Sequence, residues 1–171
     1  LGHRRRQRVR HDRFDHCSRA SAQCWSVQKG GENQAIGRSK GGLSTKIHTT
    51  VDALGNPIGF HLTAGQACDL DRADILLPQL KANTVLADKG YDADQRVLLP
   101  LEQAGKIAVI PPKANRKQQW KYDKDLYKAR HLIENFFANL KQFRAIATRY
   151  DKTARNFLAA IYCVAAYLWL V

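Results

Sequence analysis

From residue 43 onward the apolar residues switch repeatedly between strand-like alternation and helix-like spacing. That order of switches constrains the fold more than any other feature of the chain. Residues 43–53, LSTKIHTTVDA, alternate and are rich in β-branched side chains, so they read as a strand. LGNP supplies a turn, and residues 58–65, IGFHLTAG, a returning strand. An acidic start and an apolar side made by Ile75, Leu76, Leu77 and Leu80 predict a helix over 69–80, with Pro78 near its end. Residues 84–92, TVLADKGYD, read as a short buried strand running out into polar residues. ADQRVLLPLEQAG, 93–105, reads as a helix closed by Gly105. KIAVIPPK, 106–113, reads as a strand stopped by two prolines. A long helix over 123–145 and a last one over 153–170 follow. Hairpin, helix, strand, helix, strand, helix, helix describes an α/β mixed sheet flanked by helices, in one domain over 29–171.

The chain has 171 residues, of which 44% are hydrophobic, enough for a real core and too many for a disordered segment. Its formal charge of +13 is not required by folding. Such an excess points to a polyanionic partner, nucleic acid ahead of an acidic membrane surface. The cysteines, Cys17, Cys24, Cys68 and Cys163, show no C-x-x-C spacing and no nearby histidine cluster, so a zinc site is not expected. His48, His61 and His131 are scattered and are not read as ligands. Free thiols in a reducing cytoplasm are expected, and no secretory signal is visible. The last apolar run, Phe157–Val171, is short of the roughly 20 residues of a membrane span and suits a buried helix. Residues 1–28 look different from the rest. They are dense in arginine and lack apolar periodicity, so they read as an anomalous basic segment without regular structure.

Two acids stand out. Asp88 follows the apolar VLA, and a carboxylate there sits at the C-terminal edge of a sheet, where α/β folds bind ligands. Asp after a strand is also an ordinary turn or capping residue. Glu134 lies in LYKARHLIENFFANLKQF, residues 126–143, a basic stretch in which it is the one acid. On one helix Tyr127, Arg130, Glu134 and Lys141 share a face. Arg130 and Glu134 also have the spacing of a plain helix ion pair, worth about 0.3 kcal/mol. Two acids from separate elements suit Mg²⁺, which is usually held by one or two carboxylates, waters and substrate phosphates. Lys113, Arg116, Lys117, Lys121 and Lys124 with Trp120 read either as a solvated loop or as a DNA-contacting segment with a stacking aromatic. GRSKGG, 37–42, is a weak phosphate-loop candidate. Asp92 and Asp94 read as helix-start residues.

YKARHLIENFFANLK, 127–141, carries Y-x2-R-x3-E-x6-K without a gap. It resembles the signature around the third acid of bacterial insertion-sequence DDE transposases. VLADKGYDA, 85–93, is similar to the segment around their second acid. GRSKGGLSTKIH, LTAGQACD, VIPPKANRK and RYDKTARNFLAA resemble further blocks of that family. The resemblance implies a ribonuclease H-like fold, Mg²⁺ or Mn²⁺ as cofactor, and DNA cleavage with strand transfer. It places Asp88 and Glu134 as catalytic metal ligands and Tyr127, Arg130 and Lys141 as DNA contacts, to which the basic stretch adds Arg116 and Lys117 as expected DNA contacts. It also implies transposon-end and target DNA as partners, a homo-oligomer on DNA, no membrane, and a bacterial cytoplasm at the nucleoid. A ribonuclease H-like nuclease and a non-catalytic DNA-binding remnant are the alternatives.

One part departs from the family. The first acid belongs to a phrase near D-S-T-x-x-R-A-H-Q on the first strand, and residues 1–28 contain no such phrase. Asp12 and Asp15 lie there without that context and without an expected strand. Asp52 reads as a hairpin residue whose other role would be as a substitute acid. The expectation is therefore a sheet lacking its regular first strand, and a poor catalyst. Shifted forward by one base, codons available from Arg13 to Ser26 can spell D-S-T-I-V-R-A-H-Q-H-S-A-G. The coding DNA is expected to hold that string in the neighbouring frame. A stop codon or an unrelated string there would remove this explanation of the segment.

Overall fold

A computed structural model of the chain describes residues 6–15, 34–39, 42–68, 70, 73–117 and 119–170. The strands are β1 (Arg6–Asp15), β2 (Gly37–Ser39), β3 (Gly42–Val51), β4 (Pro57–Ala64), β5 (Thr84–Ala87) and β6 (Ile107–Val109). The helices are α1 (Ala73–Leu76), α2 (Leu99–Gln103), α3 (Lys124–Lys128), α4 (His131–Gln142), α5 (Arg144–Ala147) and α6 (Ala154–Leu170). The strands hydrogen-bond in the order β2-β3-β1-β5-β6, with β4 on β3. β1 runs parallel to β5 from Arg6↔Thr84 to Val9↔Ala87, and β5 parallel to β6 from Thr84↔Ile107 to Leu86↔Val109. β2 and β3 are antiparallel. The architecture is thus a mixed α/β sheet with helices, as the order of periodicities implied.

A strand does occupy the Arg-rich segment: β1 forms there, and Asp12 and Asp15 both lie within it. Strand pairing is made by backbone groups. β5 offers an unpaired edge that β1 satisfies whatever side chains it carries. The remainder of that segment, with Cys17 and Cys24, lies outside the described residues, as do positions 29–33 and 40–41 and the acids Asp69 and Asp71.

The single helix expected over 123–145 is instead three pieces, α3, α4 and α5. At the first break the His131 ring Nδ1 donates to the Lys128 carbonyl (3.0 Å). The Leu132 N–H turns to Ala129 O (3.2 Å) and the Ile133 N–H to Arg130 O (3.2 Å). Bonds spanning three residues in place of four tighten the chain there. At the second break Phe143 takes an extended ψ of 99°. Of the helix expected over 69–80, described residues 73–79 form α1 and a 3₁₀ turn, Leu77–Gln79, around Pro78. That over 93–105 begins with a π turn, Asp94–Leu98, and ends at Gly105, whose φ of 65° favours glycine.

Contacts group the chain into two compact units, one formed by the described parts of 1–10, 49–59 and 68–135, the other by those of 11–48, 60–67 and 136–171. In the first, Ala73, Leu76, Leu77 and Leu80 pack with Val85, Ala87, Tyr91, Val97, Leu101 and Ile110. Its hairpin turn passes close to α4: a Cβ on Gly55 (φ +97°) would lie 3.1 Å from Leu132 Cβ.

In the second unit Phe60 packs near Phe136 and edge-on to Tyr162, with centroids 5.8 and 5.1 Å away. Several buried polar residues here are paired, whereas the Ser44 hydroxyl and Arg149 Nε have no partner among the described residues. Thr45 Oγ1 donates to Ala35 O (2.7 Å), Lys46 Nζ to Ala67 O (2.6 Å), and His48 Nε2 meets Thr63 Oγ1 (2.9 Å). The fully buried Arg149 donates to the carbonyls of Ala35 (3.0 Å) and Gln34 and to Thr45 Oγ1, and lies over Phe157. Burial pulls its guanidinium down to about 10 against the support of Asp151. Replacing it orphans buried acceptors. Arg149→Leu is expected to cost about 3 kcal/mol in urea unfolding.

Candidate functional site

β5 is four buried residues long, and its last, Ala87, delivers the chain to Asp88. Asp88 keeps an extended backbone (φ −71°, ψ 160°) and caps a 3₁₀ turn, Lys89–Tyr91, its Oδ1 accepting the Lys89 N–H at 2.7 Å. The capping reading is met by Oδ1, and Oδ2 is left to other partners. α3 starts at Asp123, whose carboxylate accepts the N–H groups of Asp125 (3.0 Å) and Leu126 (2.9 Å). That cap sets Tyr127 on α3, ahead of Arg130 in the tight turn and Glu134 in the first turn of α4.

These residues meet. Arg130 Nη1 lies 3.4 Å from Asp88 Oδ2, and Arg130 Nη2 lies 2.8 Å from Glu134 Oε1. The Tyr127 hydroxyl donates to Asp88 Oδ1 at 3.5 Å, and Arg130 Cζ stands 5.4 Å from the Tyr127 ring centroid. Tyr122 packs edge-on to that ring. Burial raises the Tyr127 pKa, Arg130 opposes the rise and Asp88 adds to it, so the phenol stays protonated and donating at neutral pH. Side-chain exposure is 29% for Asp88 and Arg130 and 39% for Glu134. At that exposure each pair is worth about 0.5 kcal/mol, too little to shut out a competing cation.

The donor set suits a hard divalent ion in kind: two carboxylates on separate elements, open to water, already aimed at one positive group. It stops at two. Among the described residues no three His, Cys, Asp or Glu side chains gather into a metal-holding group.

The chain matches the family model of the transposase DDE domain over residues 7–169. It belongs to the DDE-domain transposases. The transposase assigned to insertion sequence element IS6501 of Brucella ovis is 37% identical over 129 residues, covering 75% of this chain and 99% of that relative. No solved structure gives a significant match.

Other expected contact residues of the transposase are placed differently. Lys141 is exposed in the last turn of α4 and belongs to the other unit. Lys117 is exposed in the loop after β6. Arg116 is turned to the protein: Nη1 binds Asp92 Oδ1 (2.6 Å), Nη2 binds Asp94, and its Cζ stacks 4.1 Å from the Trp120 centroid. Trp120 itself donates to Ile110 O at 3.1 Å. Half of the basic loop is thus committed to holding its own shape.

Asp52 is a hairpin residue as expected, accepting the Leu54 (2.8 Å) and Asn56 (2.9 Å) N–H groups. Of GRSKGG, Gly37–Ser39 form β2, while Lys40 and Gly41 lie outside the described residues. Among the described residues no helix is long and apolar enough to cross a membrane.

Asp92 is what sequence reasoning missed. Expected at a helix start, it is buried and accepts the Lys113 N–H at 2.7 Å as well as Arg116. Asp92→Ala strands a guanidinium nitrogen and an N–H, and is expected to cost about 3 kcal/mol in urea unfolding. Asp94→Ala, at the exposed end of the same guanidinium, is expected to cost about 0.5 kcal/mol.

Proposed function

We propose that the chain from β1 onward, not only from residue 29, is the catalytic domain of an insertion-sequence transposase with a ribonuclease H-like fold, and that Asp88 and Glu134 hold its Mg²⁺ or Mn²⁺. The observation carrying this is the convergence of two carboxylates, from separate stretches of sequence, on the one guanidinium of Arg130. Asp88 and Glu134 would hold such an ion, which when bound would supply activation of water and stabilisation of the leaving oxygen of a phosphodiester. Tyr127 orients Asp88 by its hydroxyl. Arg130, Lys141 and Lys117 grip phosphates of the transposon end, and Arg116 shapes the loop that carries Lys117. The 3′-OH freed by cleavage then attacks a target-DNA phosphorus, forming one P–O bond as the bond to the target strand's 3′-oxygen breaks and releases a 3′-OH, within a homo-oligomer assembled on DNA at the nucleoid.

The family's first-acid phrase is missing from residues 1–28, so turnover by this chain is low. β1 carries Asp12 and Asp15 as the available substitutes. A labelled duplex bearing the element's own inverted repeat, incubated with Mn²⁺, is expected to be nicked slowly. Asp88→Asn and Glu134→Gln are each expected to lower that rate at least about a hundredfold, the scale of losing a cation-holding group. Fast cleavage that ignores both substitutions overturns the reading. A second reading, a DNA-binding remnant without catalysis, is favoured by the missing first-acid phrase in residues 1–28. It predicts binding that weakens steeply with salt, survives both substitutions, and is never accompanied by nicking.

A further inference from the structure

We propose that Arg130 is an internal cation that competes with the divalent ion for Asp88 and Glu134, and that duplex DNA relieves the competition by drawing Arg130 onto a phosphate. The inference rests on the proposed function above, and it concerns how that site is regulated. Four contacts carry it. The two guanidinium nitrogens reach separate carboxylates, at 3.4 and 2.8 Å, so the positive charge lies between the oxygens a metal would use. The Tyr127 ring, 5.4 Å from Arg130 Cζ, supports the cation from a third side. The phenol holds the remaining oxygen of Asp88 at 3.5 Å.

Arg130 is a fork with fixed geometry and a permanent charge, and it cannot leave the site by losing a proton. It can leave only by exchanging partners. A phosphate diester offers a guanidinium the same paired oxygens as a carboxylate, so DNA is a matched alternative. Partial exposure makes the exchange cheap, since neither ion pair is deeply desolvated. By linkage, whatever factor DNA adds to metal affinity, metal adds to DNA affinity. The site therefore stays weakly loaded in free protein and loads when a duplex is present.

The test is Mn²⁺ binding followed by electron paramagnetic resonance on the full chain, which needs no turnover. Wild type is expected to bind weakly. Arg130→Gln is expected to bind about fivefold more tightly, the loss of one partly exposed competing charge. A short duplex is expected to tighten Mn²⁺ binding by wild type and to leave Arg130→Gln unmoved. The double variant Asp88→Asn/Glu134→Gln with the same duplex subtracts ions bound by the DNA alone. If Arg130→Gln does not fold, the duplex effect on wild type decides. Unchanged or weaker binding by a folded Arg130→Gln overturns the inference. So does a duplex that leaves wild type unaffected. In both cases, binding that still vanishes in the double variant leaves the assignment of the two acids standing. Mn²⁺ binding that is insensitive to the double variant overturns the assignment and the inference together.

Discussion

The site depends on one guanidinium. Arg130 pairs with both Asp88 and Glu134, and it ties the residue after a buried strand to the first turn of α4. Neither pair is strong, because all three side chains are open to water. Placement does the rest. β5 is buried over its whole length and stops at Asp88, and the Asp123 cap fixes where α3 begins. A site positioned by rigid elements and closed by weak ion pairs can exchange its cation without disturbing the fold.

The tight turn between α3 and α4 matters for the same reason. On one unbroken helix Tyr127, Arg130, Glu134 and Lys141 would form a single stripe. His131 takes the Lys128 carbonyl, and the backbone answers with bonds spanning three residues in place of four. Tyr127 and Arg130 still reach Asp88, and Arg130 still reaches Glu134. Propensity gave no warning of this break, because no glycine or proline marks it. A side chain competing for a main-chain acceptor is invisible to periodicity.

Asp92 and Arg116 show a second kind of concealment. Each is an ordinary charged residue in a loop-like stretch of sequence, and neither sits in an apolar pattern. Folding buries the acid and pairs it with the arginine and with the Lys113 N–H. Arg116 then serves the loop's shape, while Lys117 beside it stays exposed. Charge alone could not separate these neighbours, because the difference lies in which of them finds a buried partner.

The amino-acid order by itself determined the alternation of strands and helices, the hairpin with Asp52 at its turn, and the family, through Y-x2-R-x3-E-x6-K and the block around Asp88. Those features are local: each follows from residue spacing within a short stretch of sequence. Only the tertiary structure decided that β1 forms in an arginine-rich segment, since its partner is the backbone of β5, distant in sequence. It alone decided that Asp88 and Glu134 close on a guanidinium. Such a meeting depends on where two separately folded stretches come to rest, and spacing along a chain does not encode that distance.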